Sequence, residues 1–290
     1  MSILGALLAL GVATTHAAAG GPDPARWIVF SAIPHGTVAA QLFRIETTGT
    51  GLEQITTGKN AATDPAFSPD GKRVVFTRLG FGIFLVNVDG AGLRRLTKGT
   101  HDHFPVWSPD GKRIAFLRLY GKAWRLYVMN ASGQKQRRLP LAPSGGRPSW
   151  TADSKSIFVP VQGALEKVDS RTGRVQKRIH AAVDIGTSQA ATLSPNSQKV
   201  AFVAPRPSTP NCEETSCVVF ALYMAAAPRW QTKKVVNDTG PAGWSPDGKT
   251  LVFAHRAALW LWPVVSGAPA TITTGANTLA GDAPPTWQPR

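Results

Sequence analysis

The residues best suited to chemistry in this sequence are His101-Asp102-His103. Two imidazoles at i and i+2 of a strand project to the same side and can share a metal ion. No Glu joins them in sequence, and the remaining four His are scattered, so no metal site is expected. Asp102 stands five residues before Trp107, as Asp282 stands before Trp287, which fits a repeated loop role such as turn hydrogen bonding. Cys212 and Cys217 are a close pair without a second pair or a neighbouring His, too few ligands for a tetrahedral zinc shell. In an exported chain such a pair is expected to close a small loop as a disulfide. Nucleophilic catalysis finds no Gly-x-Ser-x-Gly elbow. The Ser of a recurring Trp-Ser-Pro-Asp-Gly segment is a turn residue, and its multiplicity argues against a unique nucleophile. Carboxylate pairs for acid–base work are scarce among 17 Asp and Glu, several of which, such as Asp70, Asp110 and Asp247, sit in those turns. No catalytic residue and no cofactor is assigned.

The elements that would position any site come from a repeat. Phe67-Ser-Pro-Asp-Gly-Lys72 recurs as Trp107-Ser-Pro-Asp-Gly-Lys112 and Trp244-Ser-Pro-Asp-Gly-Lys249. Worn copies are Trp150-Thr-Ala-Asp-Ser-Lys155 and Leu193-Ser-Pro-Asn-Ser-Gln198, with a last fragment ending in Trp287-Gln-Pro289. The leading aromatic ends a short first strand, and Pro-Asp-Gly turns the chain because Pro presets φ and Gly accepts a positive one. A second strand follows, as in Arg73-Val-Val-Phe-Thr77 and Arg113-Ile-Ala-Phe-Leu117. A third follows, as in Ile83-Phe-Leu-Val86, and then a fourth, as in Arg94-Arg-Leu-Thr97. Four strands every ~40–45 residues is the signature of a propeller blade.

Five units are complete. The N-terminal piece supplies a second strand (Trp27-Ile-Val-Phe30), a third and a fourth, but no first. The piece from Ala283 to Pro289 supplies a first strand alone. Joined, they make a sixth blade and leave no long sheet edge unpaired. The reading is all-β: a six-bladed β-propeller of four-stranded blades over residues 20–290, with Trp287 beside Ile28.

The Pro-x-Trp-Ser-Pro-Asp-Gly-Lys unit, followed by Ile-Ala-Phe and Leu-Tyr-Val, resembles the PD40 repeat. It lacks the Gly-His and Trp-Asp marks of WD40. The resemblance covers almost the whole chain after residue 19 and implies a propeller like that of TolB, with relatives among exported bacterial proteins. TolB carries an α/β domain before its propeller, for which this sequence is expected to have no room. The resemblance is specific for fold and says little about function.

In such a ring the Pro-Asp-Gly turns occupy one face. The second-to-third-strand loops and the connections between blades occupy the other, and binding residues favour loops on a rigid scaffold. The loops offer His35, Arg78, Phe81, Arg118, Tyr120, Lys122, Arg206, His255 and Arg256. The connections offer Asn60, Asp64, His101, Asp102, His103, Arg147, Asp238 and Asp282. Arg78, Arg118, Tyr120, His101, His103, Arg147, His255 and Arg256 are the expected binding set, a shallow basic and aromatic site at a channel mouth.

Thirty-two Lys and Arg against 17 Asp and Glu give a net charge of +15. Arg94-Arg95, Arg137-Arg138, Lys177-Arg178 and Lys233-Lys234 fall on successive fourth strands, making a basic belt. Lys and Arg there discourage edge-to-edge pairing and also attract anionic surfaces. At the N-terminus an apolar run from Ile3 to Val12 leads into Ala17-Ala-Ala19, read as a signal peptide over residues 1–19. No segment reaches the ~18 apolar residues of a membrane span. The expected protein is a periplasmic or secreted, monomeric, non-enzymatic binding module. Its partner is a protein or an anionic envelope polymer and not nucleic acid, with at most a peripheral envelope contact. A propeller lyase or hydrolase is the competing class.

Overall fold

The structure is a computed structural model that describes residues 27–180, 191–205, 220–227, 231–237, 239–255, 258–265, 269–272, 278–279 and 285–289. The signal segment, both Cys, Arg206, Arg256, Asp238 and Asp282 lie outside the described residues. Six antiparallel sheets form a six-bladed propeller. Numbered from the chain start, blade II consists of Ala62–Phe67, Arg73–Arg78, Gly82–Asn87 and Arg94–Arg95, from the channel outward. Blade III consists of Asp102–Trp107, Arg113–Tyr120, Ala123–Asn130 and Arg137–Arg138. Blade IV consists of Ser149–Trp150, Ser156–Val161, Ala164–Asp169 and Val175–Ile179. Blade V runs from Ala191–Leu193 to Gln231–Asn237, and blade VI from Thr239–Trp244 to Ala270–Ile272.

Blade I joins the two ends of the chain. Trp27–Ile33, Gln41–Glu46 and Glu53–Gln54 come from the beginning, and Thr286–Trp287 pairs onto Trp27–Ile33 with Trp287 opposite Ile28. A second fragment, Thr278–Leu279, also pairs with that strand, opposite Ile33 and Ala32. The sequence reading had placed only the later fragment there. Register shifts occur within the first strands of blades II, III and VI, where an extra residue breaks the ladder. At this shift Asp64 and Phe104 take positive φ values of 56° and 55°, each just before a Pro.

The hairpin turns explain why the motif repeats. In blade II the Ser68 hydroxyl accepts the Arg73 N–H at 3.0 Å, and the Asp70 carboxylate accepts the Lys72 N–H at 3.1 Å. Gly71 takes φ 66°. Ser108, Asp110 and Gly111 repeat this in blade III, and Ser245, Asp247 and Gly248 in blade VI. In the worn copies Ser154 and Ser197 sit at φ 59° and 58°, where a Cβ is strained.

Packing follows the repeat. Phe30, Phe76, Phe116, Phe202 and Phe253, at the centres of the second strands, are at most 1% exposed. Most face an aromatic on the third strand, as in Phe116 against Tyr127 with ring centroids 5.4 Å apart. Each buried Phe is worth ~1.5–3 kcal/mol relative to exposure. Six apolar clusters fill the six junctions between neighbouring blades. Indoles add polar staples: Trp150 Nε1 donates to Val106 O at 3.2 Å and Trp244 Nε1 to Thr192 O at 3.0 Å. Trp287 Nε1 donates to Gly243 O at 3.3 Å, carrying the pattern across the closing junction.

Two consequences can be measured. Trp287→Ala should destabilise the whole domain by about 2–3 kcal/mol, below the range for a fully buried Trp because this one is half-buried; a denaturant midpoint equal to that of the parent protein would contradict closure through this strand. Ser197→Gly should stabilise by about 0.5–1 kcal/mol, since it relieves the positive φ and removes a buried hydroxyl that lacks a hydrogen-bond partner. An unchanged or lowered urea midpoint would count against that account.

Candidate functional site

Of the expected binding residues, Arg78, Arg118, Tyr120 and His101 lie at the rim, His103 and Arg147 lie toward the channel, and His255 stands apart at the end of the second strand of blade VI. The rim group lies where blades II and III meet. Arg78 and Arg118 occupy the same place near the ends of their second strands, and each spreads over its blade's aromatic pair. The Arg118 guanidinium lies 5.6 Å from the Phe116 ring and 4.7 Å from that of Tyr127. The Arg78 guanidinium lies 5.8 and 5.7 Å from the rings of Phe76 and Phe84. Such contacts are worth ~0.5–2 kcal/mol.

Their partners differ because one residue differs. Opposite Arg118 in the ladder stands Asp102, whereas Ala62 stands opposite Arg78. Asp102 is fully buried and accepts from Arg118 Nε at 2.5 Å and from an Nη at 2.9 Å. That hydrogen bond, strengthened by charge and opposed by burial, raises the Arg118 pKa above its ordinary value. Its carboxylate serves this ion pair, where sequence spacing had pointed to turn hydrogen bonding. Arg78 has no carboxylate partner among the described residues. It donates to Thr57 O at 3.2 Å, its Nε is buried without a hydrogen-bond partner, and burial lowers its pKa.

Beside Arg118 a groove of about 600 Å³ runs along the outer junction of the two blades. Lys98, His101, Tyr120 and Gln136 line it with Arg118. Tyr120 is 65% exposed and carries the Arg125 guanidinium 4.4 Å above its ring. Leu79 and Phe81, on the neighbouring loop of blade II, are also exposed. That loop approaches closely because Gly82 takes φ 94°, and a Cβ there would meet the Gly99 carbonyl oxygen at 2.3 Å. The result is a cationic groove with aromatic and aliphatic shoulders. Lys98, Arg125 and Gln136 were not foreseen. Lys98 was legible as a connection residue beside His101, whereas Arg125 depends on which way a third-strand side chain turns.

The channel group is built on the first strands. His103 stands edge-on to Trp124, with centroids 5.5 Å apart, next to Phe104. Burial lowers the His103 pKa although Asp64 and Asp102 pull it upward, so the imidazole is neutral at pH 7. His101 is exposed on the turn before the strand. Among the described residues no three His, Cys, Asp or Glu come together to hold a metal. Arg147 is buried and donates to Pro65 O of blade II at 2.7 Å, reaching past blade III. His255 packs edge-on against Trp260 on blade VI, on the far side of the ring from blade III.

With this geometry in hand, the chain can be compared with known proteins. The sequence pattern that defines the TolB β-propeller domain, PD40, matches residues 12–154. No curated protein sequence matches the chain. TolB from Acinetobacter baumannii is similar in structure with a TM-score of 0.75 at 19% identity, over 91% of this chain and 67% of that one. A putative TolB from Agrobacterium tumefaciens gives 0.59 at 13% identity, over 91% and 94%. The tricorn protease gives 0.57 at 13% identity, over 89% of this chain and 30% of that one. Likeness at such identities speaks to fold, and function must be argued from the site.

The ion pair offers a direct check on how the groove is held. Asp102→Asn should destabilise the protein by about 2–4 kcal/mol, because it leaves the Arg118 charge without its buried partner. A thermal midpoint within a degree of the parent would mean that solvent already satisfies Arg118.

Proposed function

We propose that this chain, whose residues 12–154 match the PD40 pattern of the TolB β-propeller domain and whose fold is similar to that of TolB, is an exported, non-enzymatic binding module whose partner is a protein with an acidic segment. One observation carries the reading: the groove at the junction of blades II and III combines Lys98, His101 and Arg118 with the exposed ring of Tyr120. Aromatic residues beside Arg are the usual energetic anchors of protein interfaces. A partner carboxylate at Arg78 would complete the arrangement that Asp102 already makes with Arg118. Leu79 and Phe81 supply apolar area next to it.

The net charge of +15 supports the same reading, since it steers acidic partners and raises association rates at low salt. The fourth strands add to it: Arg94, Arg95, Arg137, Arg138, Lys177, Arg178, Lys233 and Lys234 are all exposed around the rim. That belt suits peripheral contact with anionic envelope polymer or lipid headgroups, and among the described residues no helix is long and apolar enough to cross a membrane. A periplasmic or secreted location rests on the apolar N-terminal segment and on the company of TolB. The closed ring buries its blades without a second subunit, which favours a monomer.

The test is capture of partners from envelope extract by the parent protein and by a Lys98→Glu/Tyr120→Ala variant. Neither substitution removes a core contact. Recovery of the partner should fall at least about tenfold in the variant, the loss expected for an interface anchor, and should fall with rising salt in the parent. Equal recovery by both proteins would remove this groove from consideration.

A further inference from the structure

The channel holds a charged group whose hydrogen-bonding capacity is mostly unspent. Arg147 is 6% exposed, and its guanidinium carries five N–H donors, of which one is bonded to Pro65 O. Among the described residues no carboxylate forms an ion pair with it. The charge it feels is that of Asp64, at longer range across the same channel. Burial lowers the Arg147 pKa to about 10, against the pull of Asp64, so the group is still cationic at neutral pH. Withdrawing a cation from water without a full set of partners costs several kcal/mol. Blades II and III place Asp64 and Phe104 where blade IV places Arg147, three residues before the strand-ending aromatic, so the repeat does not require an Arg there.

The space Arg147 adjoins is a cavity of about 260 Å³ at the end of the channel where the Pro-Asp-Gly turns lie. Its wall is a collar of Trp107, Trp150, Trp244 and Trp287 with turn prolines such as Pro109 and Pro195. A pocket of apolar, flat surfaces with a single convergent charged group is the usual form of a small-ligand site. The guanidinium fork matches a planar carboxylate in two parallel hydrogen bonds. A single guanidinium with one fork to offer suits one carboxylate and leaves a second without a partner.

We infer that this cavity binds a monocarboxylate with a flat apolar body, the carboxylate taken by the unbonded N–H groups of Arg147 and the body by the indole and proline collar. The site is on the opposite face from the blade II–III loops and does not depend on the partner groove. The ligand is either a free small acid or the C-terminal residue of a peptide, which share this chemistry.

Isothermal titration calorimetry with indole-3-acetate and its neutral amide tests the inference on the unaltered protein. The acid should bind at least about tenfold more tightly than the amide, as a hydrogen-bonded charge implies. Arg147→Gln should abolish that difference and Arg147→Lys should keep part of it, while Lys98→Glu/Tyr120→Ala should leave it unchanged. Gly-Gly-Trp with a free or an amidated C-terminus separates the two sources: competition by the free form alone assigns a chain terminus, and its failure assigns a small acid. Equal binding of acid and amide, or no binding by either up to about 10 mM, would overturn the inference. So would acid binding that survives Arg147→Gln. If Arg147→Gln does not fold, the acid–amide comparison on the parent protein decides alone.

Discussion

A propeller blade is a four-stranded sheet with two apolar faces and no partner of its own, so each blade is stable only between two others. The junctions here are equivalent in kind. Val75, Leu85 and Leu96 of blade II meet Trp107, Ile114 and Phe116 of blade III, and Ile28, Phe30 and Ile45 of blade I meet Val252, Leu259 and Ile272 of blade VI. Everything else rests on the last of these contacts being made. Were blade I left without Trp287, one face of the ring would expose an apolar seam and an unpaired strand, the condition that leads sheets to aggregate.

Departures from the repeat mark where blades have acquired individual roles. Blade IV has Val159 opposite Glu166 where its neighbours pair Phe with an aromatic. Glu166 is 2% exposed and is ion-paired to Arg178 of its own fourth strand. The same blade supplies Arg147, so the blade with the least regular core also carries the charge in the channel. Blade III adds Asp102 beneath Arg118, and blade II does not. Trp107 is the indole whose buried Nε1 has no partner, although Trp150, Trp244 and Trp287 each donate to the preceding blade. The asymmetry therefore concentrates on blades II to IV, where both the groove and the channel charge are found.

Most of the architecture was legible because it is written several times. The aromatic before each Ser-Pro-Asp-Gly turn, the Phe at the centre of the second strand and the pairing of Trp287 with Ile28 all follow from alternation and period. Thr278–Leu279 was not legible, since a fragment paired at only two residues carries no pattern. The site was legible only as a set of residues on one face. Arg118, Tyr120 and His101 do gather at one groove, whereas Arg147 lies inside the channel and His255 is on the far side. Cross-channel distances such as Arg147 to Pro65, 82 residues apart in sequence, have no signature in a period of forty. The Asp102–Arg118 pair was hidden for a related reason. Spacing from Trp107 described the loop, while the partner is chosen by ladder register.

Blade I also sets an order of events for the growing polypeptide. Its strands come from residues 27–54 and 278–287, so the sheet that completes the ring cannot form until residue 287 has been synthesised, after all five other blades. Contacts of such long sequence separation are the slowest to form. Until then the nascent protein is an open arc whose first and last blades each leave an apolar face uncovered. The seam between the two ends thus acts as a timing element as well as a fastening.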